Sequence, residues 1–253
     1  MTVVRAAKRV ARRLLGRQVR SQRPFLLAVE NRAGLEIGGP SSVFGDDGIV
    51  PLYRHLQRLD NCVYAGETIW EGRRALGQTF CFHPGKPKGF NFICEASNLH
   101  LIGDRVYDFI LSSHNLEHTA NPVKVLKECM SVAKPGGALI IVLPHYRNTF
   151  DHRRRPTPLT HMLEDYERGT DEADCTHLQE ILELHDLSRD PPAGSPEQFR
   201  DRSMRNIENR CLHHHVFDEH NSRELIETAG WRVATLEFVR PFHIVILAHS
   251  SSD

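Results

Sequence analysis

The chain has 253 residues, 40% of them hydrophobic, enough for one large domain with an ample core and no covalent staples. Its 32 Lys and Arg balance 32 Asp and Glu, so the chain as a whole has no electrostatic footprint for nucleic acid. Six cysteines lie far apart in sequence, which suits reduced thiols in a cytoplasmic setting, and no apolar run approaches the roughly 20 residues of a membrane span.

Charge is uneven along the chain. Arg5, Lys8, Arg9, Arg12, Arg13, Arg17, Arg20 and Arg23 give the first 29 residues eight cations and no acid. Val3, Val4, Ala7, Val10, Ala11, Leu14 and Leu15 recur there at near-helical spacing, so residues 1–30 read as a basic N-terminal helix. Its apolar side chains are mostly small, so no stable membrane insertion is expected; covering the sheet or a partner subunit is the simpler role. Arg20, Gln22 and Arg23 before Pro24 mark a linker into the main domain.

From residue 33 strands and helices alternate. The first strand, Gly34–Ile37, runs into Gly38-Gly39-Pro40-Ser41, a turn that lets backbone approach a ligand closely at the carboxyl end of the strand. Glu36 sits inside this otherwise apolar strand and suits a cationic group better than a pyrophosphate. Further strands are expected at Cys62–Ala65, Phe90–Cys94, Tyr107–Ser112 and Ala138–Leu143. Between the last two, residues 121–134 form an amphipathic helix stopped by Pro135-Gly-Gly. Such alternation predicts an α/β fold with a doubly wound, mostly parallel sheet. A helix at Ser222–Gly230 and strands at Trp231–Phe238 and Phe242–Ala248 complete it.

Between the strand ending at 143 and the helix at 222 lies a segment far longer than an ordinary connection. Nine of the sixteen histidines fall between 145 and 220. The chain therefore divides into a basic N-terminal helix (1–30), a cofactor-binding core (31–146), a mainly helical acceptor-binding insertion (147–215) and the rest of the core (216–253). Within the insertion, 164–167 and 176–186 read as helical and 188–197 as an exposed loop. His213 and His215, two apart on an extended segment, can share a face and a metal ion, with Asp151, Glu180 or Asp186 as further ligands. Zinc spacing is not otherwise met; magnesium on carboxylates is the alternative, and plain hydrogen-bonding histidines are the simpler one.

The succession Leu35-Glu-Ile-Gly-Gly39, an acidic end to the second strand, Tyr107-Asp-Phe-Ile110, Asn115-Leu-Glu-His118 and Lys134-Pro-Gly-Gly-Ala138 resembles the class I S-adenosylmethionine-dependent methyltransferases. The family implies a seven-stranded, Rossmann-like sheet with an antiparallel final hairpin. The departure is the glycine loop, which lacks the usual Gly-x-Gly-x-Gly. By position, Glu36, Gly38, Gly39 and Ser41 would contact the methionine part of the cofactor. Asp60, or else Glu67, would accept the ribose hydroxyls, since one carboxylate spans a diol. Glu95, Ala96 and Ser97 match the adenine position, and Ser113 and His114 lie beneath the sulfonium.

Methyl transfer to an alcohol needs a base as well as alignment. His145, next after the fifth strand, is the expected base, with Asp151 or His152 in reserve and Tyr146 orienting the acceptor. The polar insertion suits a sugar or oligosaccharide acceptor and not nucleic acid. More narrowly, Leu143–Pro156 and Thr176–Asp186 resemble the mycobacterial-type sugar 1-O-methyltransferases of methylmannose polysaccharide synthesis, which implies magnesium dependence and a homodimer. A metal-dependent hydrolase or lyase built on the histidines, and a cofactor-binding module without catalysis, are the competing readings. An oxidoreductase is disfavoured because the Gly-x-Gly-x-x-Gly spacing is missing.

Overall fold

The computed structural model describes residues 15–68, 72–103 and 107–251, so most of the basic N-terminal segment lies outside the described residues. The first described helix, α1 (Arg23–Val29), occupies what reads as a linker in the sequence, because Pro24 sits in its first turn, where a missing N–H costs nothing. Strands β1 (Ala33–Ile37), β2 (Arg58–Val63), β6 (Gly89–Ile93), β7 (Tyr107–Ser113) and β8 (Ala133–Pro144) form the parallel centre of the sheet. A short hairpin, β3 (Glu67–Thr68) and β4 (Gly72–Arg73), stands apart from it. The edge strand β5 (Gly77–Phe80) pairs antiparallel with β6, and β9 (Arg232–Val239) and β10 (His243–His249) close the other side as an antiparallel hairpin. The sheet has eight strands in the order β5-β6-β2-β1-β7-β8-β10-β9, one more than the expected seven.

Both faces of this sheet are covered, and the sequence of β8 shows how. Leu139, Ile141 and Leu143 point into one apolar cluster, with Val125, Leu126 and Cys129 of α2 (Pro122–Val132) and Leu225 and Ile226 of α7 (Glu219–Thr228). Ala138, Ile140 and Val142 point into the other, with Phe25 and Val29 of α1, Phe44 and Tyr53. A strand buried on both faces has no polar positions to alternate, so it reads as a continuous apolar run. Asn121 caps α2 by accepting from the Lys124 N–H, and Asp218 caps α7 in a capping box with Asn221.

The second strand begins four residues earlier than expected, paired with β1 from Ala33↔Arg58 to Ile37↔Cys62. Neighbours β2 and β7 flank β1 on opposite sides, and the chain leaves the centre in opposite directions. The carboxyl ends of β1 and β7 therefore part at a topological switch point, where such sheets leave a crevice. The insertion between β8 and α7 covers that crevice with helices α3 (Leu159–Arg168), α4 (Leu178–Leu184), α5 (Pro196–Met204) and α6 (Asn206–Asn209). The expected loop at 188–197 contains two short 3-10 turns. Among the described residues, no helix is long and apolar enough to cross a membrane.

Candidate active site

The crevice begins at the glycine turn after β1. Gly38 has φ +71°, a left-handed conformation that side chains disfavour, and a Cβ on Gly39 would lie 2.4 Å from the Glu36 carboxylate. Glu36 is fully buried beneath the turn. Its carboxylate accepts from the Tyr53 hydroxyl (2.8 Å) and the Ser41 N–H (3.0 Å). Asn61 on β2 grips the turn from the other side, accepting from Gly39 N–H at 2.8 Å, and is itself tied to Asn91 at 2.8 Å. Burial and the Glu36 charge push the Tyr53 phenol far up, so it stays a donor.

Above this turn lies a cavity of about 860 Å³, within the range of small-molecule sites. Its walls are the ends of β1 (Ile37, Gly38), β2 (Cys62, Val63, Tyr64), β6 (Cys94, Glu95, Ala96) and β7 (Ser113, His114), with the insertion opposite. Cys62 and Cys94, distant in sequence, bring their sulfurs to 3.4 Å in one wall. Arg210 of the insertion reaches across to pair with Glu95 at 2.6 Å and lies over the Tyr64 ring. Burial raises the Glu95 carboxyl and Glu172 adds to it, while Arg210 opposes them.

The floor after β7 is a group of ionisable side chains. His114 takes a left-handed backbone (φ +50°), and its Nε2 meets His243 Nδ1 at 2.9 Å. Glu117 is buried with Oε2 lacking a hydrogen-bond partner; burial raises its carboxyl, but the hydrogen bond from His114 and the nearby histidines bring it below the usual value. Burial drives His118 down to about 4, and its Nδ1 lies 3.2 Å from the Leu212 carbonyl. The insertion contributes His213, whose Nδ1 lies 2.5 Å from Asp151 Oδ2. Asp151 is held in turn by Arg154 at 3.2 Å, and Arg154 also donates to the His213 carbonyl at 2.8 Å. Burial would lower His213, but the Asp151 charge and hydrogen bond outweigh it and raise the imidazole above its usual value. The same partnership brings Asp151 down to about 2 against the opposing effect of burial. A carboxylate on Nδ1 fixes the ring tautomer and turns Nε2 into the working nitrogen. Among the described residues, that Nε2 has no hydrogen-bond partner.

Residues 55–141 match the family described as methyltransferase domain. No curated protein sequence matches the chain. Among solved structures, the chain is similar to a Haloferax volcanii complex of the Trm112 methyltransferase activator with a candidate methyltransferase, at 12% identity and TM-score 0.50, covering 91% of this chain and 89% of that one. It is also similar to a possible exported protein from Bordetella parapertussis, at 12% identity and TM-score 0.44, covering 91% of this chain and 65% of that one. Human N-acetylserotonin methyltransferase in complex with S-adenosylmethionine gives 14% identity and TM-score 0.44, covering 91% and 51%. The chain thus spans about half to two thirds of the last two. The core has the Rossmann-like fold of the methyltransferases.

The cavity has features that would suit S-adenosylmethionine: a backbone turn with two glycines, a carboxylate (Glu95) at the wall, and a buried, unpartnered Ser113 hydroxyl at the end of β7. Of the expected cofactor contacts, Gly38, Ser41, Glu95, Ala96, Ser113 and His114 line it. Glu36 and Gly39 lie one layer beneath and shape the turn, and Ser97 follows just outside.

Several expected residues lie elsewhere. Asp60 is in the middle of β2, buried, accepting from Phe90 N–H at 2.8 Å and Tyr107 hydroxyl at 3.0 Å. Glu67 is on the outlying hairpin opposite Arg73, its side chain 75% exposed. The earlier start of β2 puts Tyr64, and no carboxylate, at its tip. His145 also turns away from the cavity: its Nε2 pairs with Glu219 of α7 at 2.9 Å, its Nδ1 accepts from Arg147 N–H at 3.2 Å, and its ring stacks on Tyr146. The chain bends as β8 ends, with His145 N–H bonded to the Phe242 carbonyl at 2.7 Å and the His145 side chain facing α7. His152 pairs with Asp186 at 2.8 Å and does not line the cavity. Nor does the metal set His213, His215 and Asp151 assemble. Residues 212–215 form no strand, and His215 Nε2 lies 3.2 Å from the Ala120 carbonyl on the far side.

Glu117 and His118 were missed as site residues. The signal is Asn115-Leu-Glu-His118 directly after β7, a motif in which Glu117 has no assigned role and His118 reads as a packed histidine.

Proposed function

We propose that the protein is an S-adenosylmethionine-dependent methyltransferase that transfers the methyl group to a hydroxyl of a polar, sugar-like acceptor lying between the strand tips and the insertion. The observation that carries the reading is the His213–Asp151 pair, presented to the cavity by the insertion. Bound S-adenosylmethionine supplies a methyl group on a cationic sulfur, an electrophile that leaves alignment and deprotonation to the protein.

The turn after β1, Ala96, Ser113 and His114 would hold that cofactor, with Glu95 taking the ribose diol in place of Asp60. His213 Nε2 takes the proton from the acceptor hydroxyl, and Asp151 holds Nδ1–H and stabilises the imidazolium that results. His118, held neutral by burial, stands edge-on to the His213 ring at 4.6 Å and helps fix it. Phe150 packs on its other side at 4.7 Å. The acceptor side of the cavity is lined by Asn148, Thr149, Arg189, Asp190 and Arg202 beside Phe150 and Phe242, a mixture that suits a hydroxylated ring with one apolar face.

A second reading has one observation behind it. Glu117, His118 and His213 each offer a ligand atom within 4.8 Å of the others, and Glu117 Oε2 is buried without a partner. A divalent ion there would lower the acceptor's pKa directly; two imidazoles with one carboxylate favour zinc-like ions over magnesium.

Calorimetry with S-adenosylhomocysteine and a methyl-transfer screen over mono- and oligosaccharides test the proposal. His213→Ala should cut turnover by about 10²–10⁴-fold while S-adenosylhomocysteine affinity holds. His145→Ala should leave turnover close to that of the unaltered protein. The reverse pattern would overturn the assignment. Full activity after exhaustive chelation would remove the metal reading and keep the base.

A further inference from the structure

A second group of histidines lies outside the cavity, on the flank of the insertion, and the methyl-transfer reading makes no use of it. His161 and Asp165 are four apart on α3, so their side chains share one face of the helix. His177, immediately before α4, closes over that face from a different segment. His161 Nε2 lies 2.9 Å from His177 Nε2 and 3.4 Å from Asp165 Oδ2. One donor atom from each of the three residues falls within 4.8 Å of the other two. In a tetrahedral site with bonds of about 2.0–2.1 Å, neighbouring ligand atoms stand roughly 3.3 Å apart. The 2.9 and 3.4 Å separations from His161 Nε2 bracket that value.

Asp165 supplies the independent observation. It is 5% exposed, and its Oδ1 is satisfied by the Thr170 hydroxyl at 3.1 Å. Its Oδ2 is buried with no hydrogen-bond partner and faces the imidazoles. The remaining neighbour, His215, has its Nε2 3.7 Å from Oδ2 but directed to the Ala120 carbonyl at 3.2 Å. A buried carboxylate oxygen without a donor is costly, and a cation shared with the two rings removes the cost. No Lys or Arg ion pair reaches this carboxylate among the described residues.

We propose that His161, Asp165 and His177 bind a divalent zinc-class ion that clips α3 to the start of α4. Two imidazoles and one carboxylate are a zinc-class donor set; calcium and magnesium prefer oxygen ligands throughout. The His161 side chain is 31% exposed, which gives the ion an entry path and leaves a coordination position for solvent. The site ties into the core through α2, because the Asp165 carbonyl accepts from Asn121 Nδ2, at the helix cap, at 3.0 Å. None of the three ligands lines the cofactor cavity, so the ion would act by holding the insertion in place.

The test uses the full chain, stripped with chelator and titrated with ZnCl2 and separately with CoCl2. One ion of each should bind per chain, Co(II) should give the intense visible bands of tetrahedral coordination, and zinc should raise the melting temperature. His161→Ala, on the partly exposed ligand, should fold as judged by circular dichroism and weaken zinc binding by at least about 100-fold, above the 10–100-fold typical of outer-shell losses. His177→Ala should do the same. Glu117→Gln, in the cavity, should leave this binding and the melting shift intact. An unaltered chain that binds no zinc would overturn the proposal. So would binding that survives in His161→Ala and His177→Ala and is lost in Glu117→Gln, which would place the ion in the cavity.

Discussion

The two halves of the cavity wall are built on different physics. The strand tips rise from a sheet whose central residues are buried apolar side chains on both faces, Leu139 to Leu143 of β8 being the densest run. The insertion opposite has only a small apolar cluster of its own, Ile181, Ala193, Phe199 and Leu212. It is held instead by polar networks with buried members: Arg154 with Asp151 and the half-exposed Glu180, and Asp190 with His185 and Arg202. Apolar burial is non-directional and insensitive to pH, whereas these networks depend on every partner being present and correctly charged. The strand tips should therefore form a stiff cofactor seat, and the insertion a polar cover whose stability follows solution conditions.

The largest effects that separate the two come from breaking one buried group in each. Arg154→Met removes the cation that balances Asp151 and donates to the His213 carbonyl. Losing one partner of a buried ion pair typically costs about 3–5 kcal/mol. Hydrogen exchange should show that loss in residues 145–218, with the sheet still protected. Ile140→Ala, in the centre of β8, should cost about 2–5 kcal/mol but lower the urea midpoint of the whole domain. If both variants melt the same set of amides, the insertion and the sheet form one cooperative unit and the contrast fails.

This difference also explains what could be read in advance. The sheet was legible because β7, β8 and β10 are apolar runs closed by turn residues, and their order needs only local signals. The glycine turn was legible for the same reason, as one short segment holds Glu36, Gly38 and Gly39. Asp60 was misplaced because a run of mixed polarity such as Arg58–Val63 does not fix its own register; pairing with β1 does. His145 was misjudged because nearness to a strand tip says nothing about which way the chain bends next. The Asp151–His213 pair joins residues 62 apart, and His177 meets the His161–Asp165 face of α3 from a separate segment of the insertion. No periodicity announces such meetings, since irregular segments carry no fixed side-chain direction.

Acid sharpens the comparison further. Asp151 sits at about 2 in the folded chain against 3.8 ordinarily, so its charge stabilises the insertion above about pH 4. That contribution, about 2 kcal/mol, disappears as pH falls towards 2. His213 acts in the opposite sense: raised in the folded state, it stabilises fully below about 6.5, and the effect fades as pH climbs through its raised value. Protease susceptibility of the insertion should thus be lowest in mildly acidic buffer and rise on both sides, while the sheet stays protected. Turnover should follow the deprotonated ring, increasing with pH through a value above 6.5. Asp151→Asn should move that rise to lower pH and leave S-adenosylhomocysteine affinity unchanged. A pH–rate profile unmoved by Asp151→Asn would separate His213 from the chemistry.

The smallest effect is expected where neither kind of physics is engaged. Arg223 and Glu227 pair across one turn of α7 at 3.2 Å with both side chains nearly half exposed. Water screens such a pair, and holding two long side chains together costs entropy, so helix pairs of this spacing contribute about 0.3–0.5 kcal/mol. Arg223→Ala should shift the urea midpoint by no more than that, and high salt should erase the difference. Arg154 has a similar i,i+3 spacing to its carboxylate, but it is buried and also donates to the His213 carbonyl. A comparable loss in both variants would mean that burial does not set the strength of these pairs, and that the polar cover is no more sensitive than any exposed helix surface.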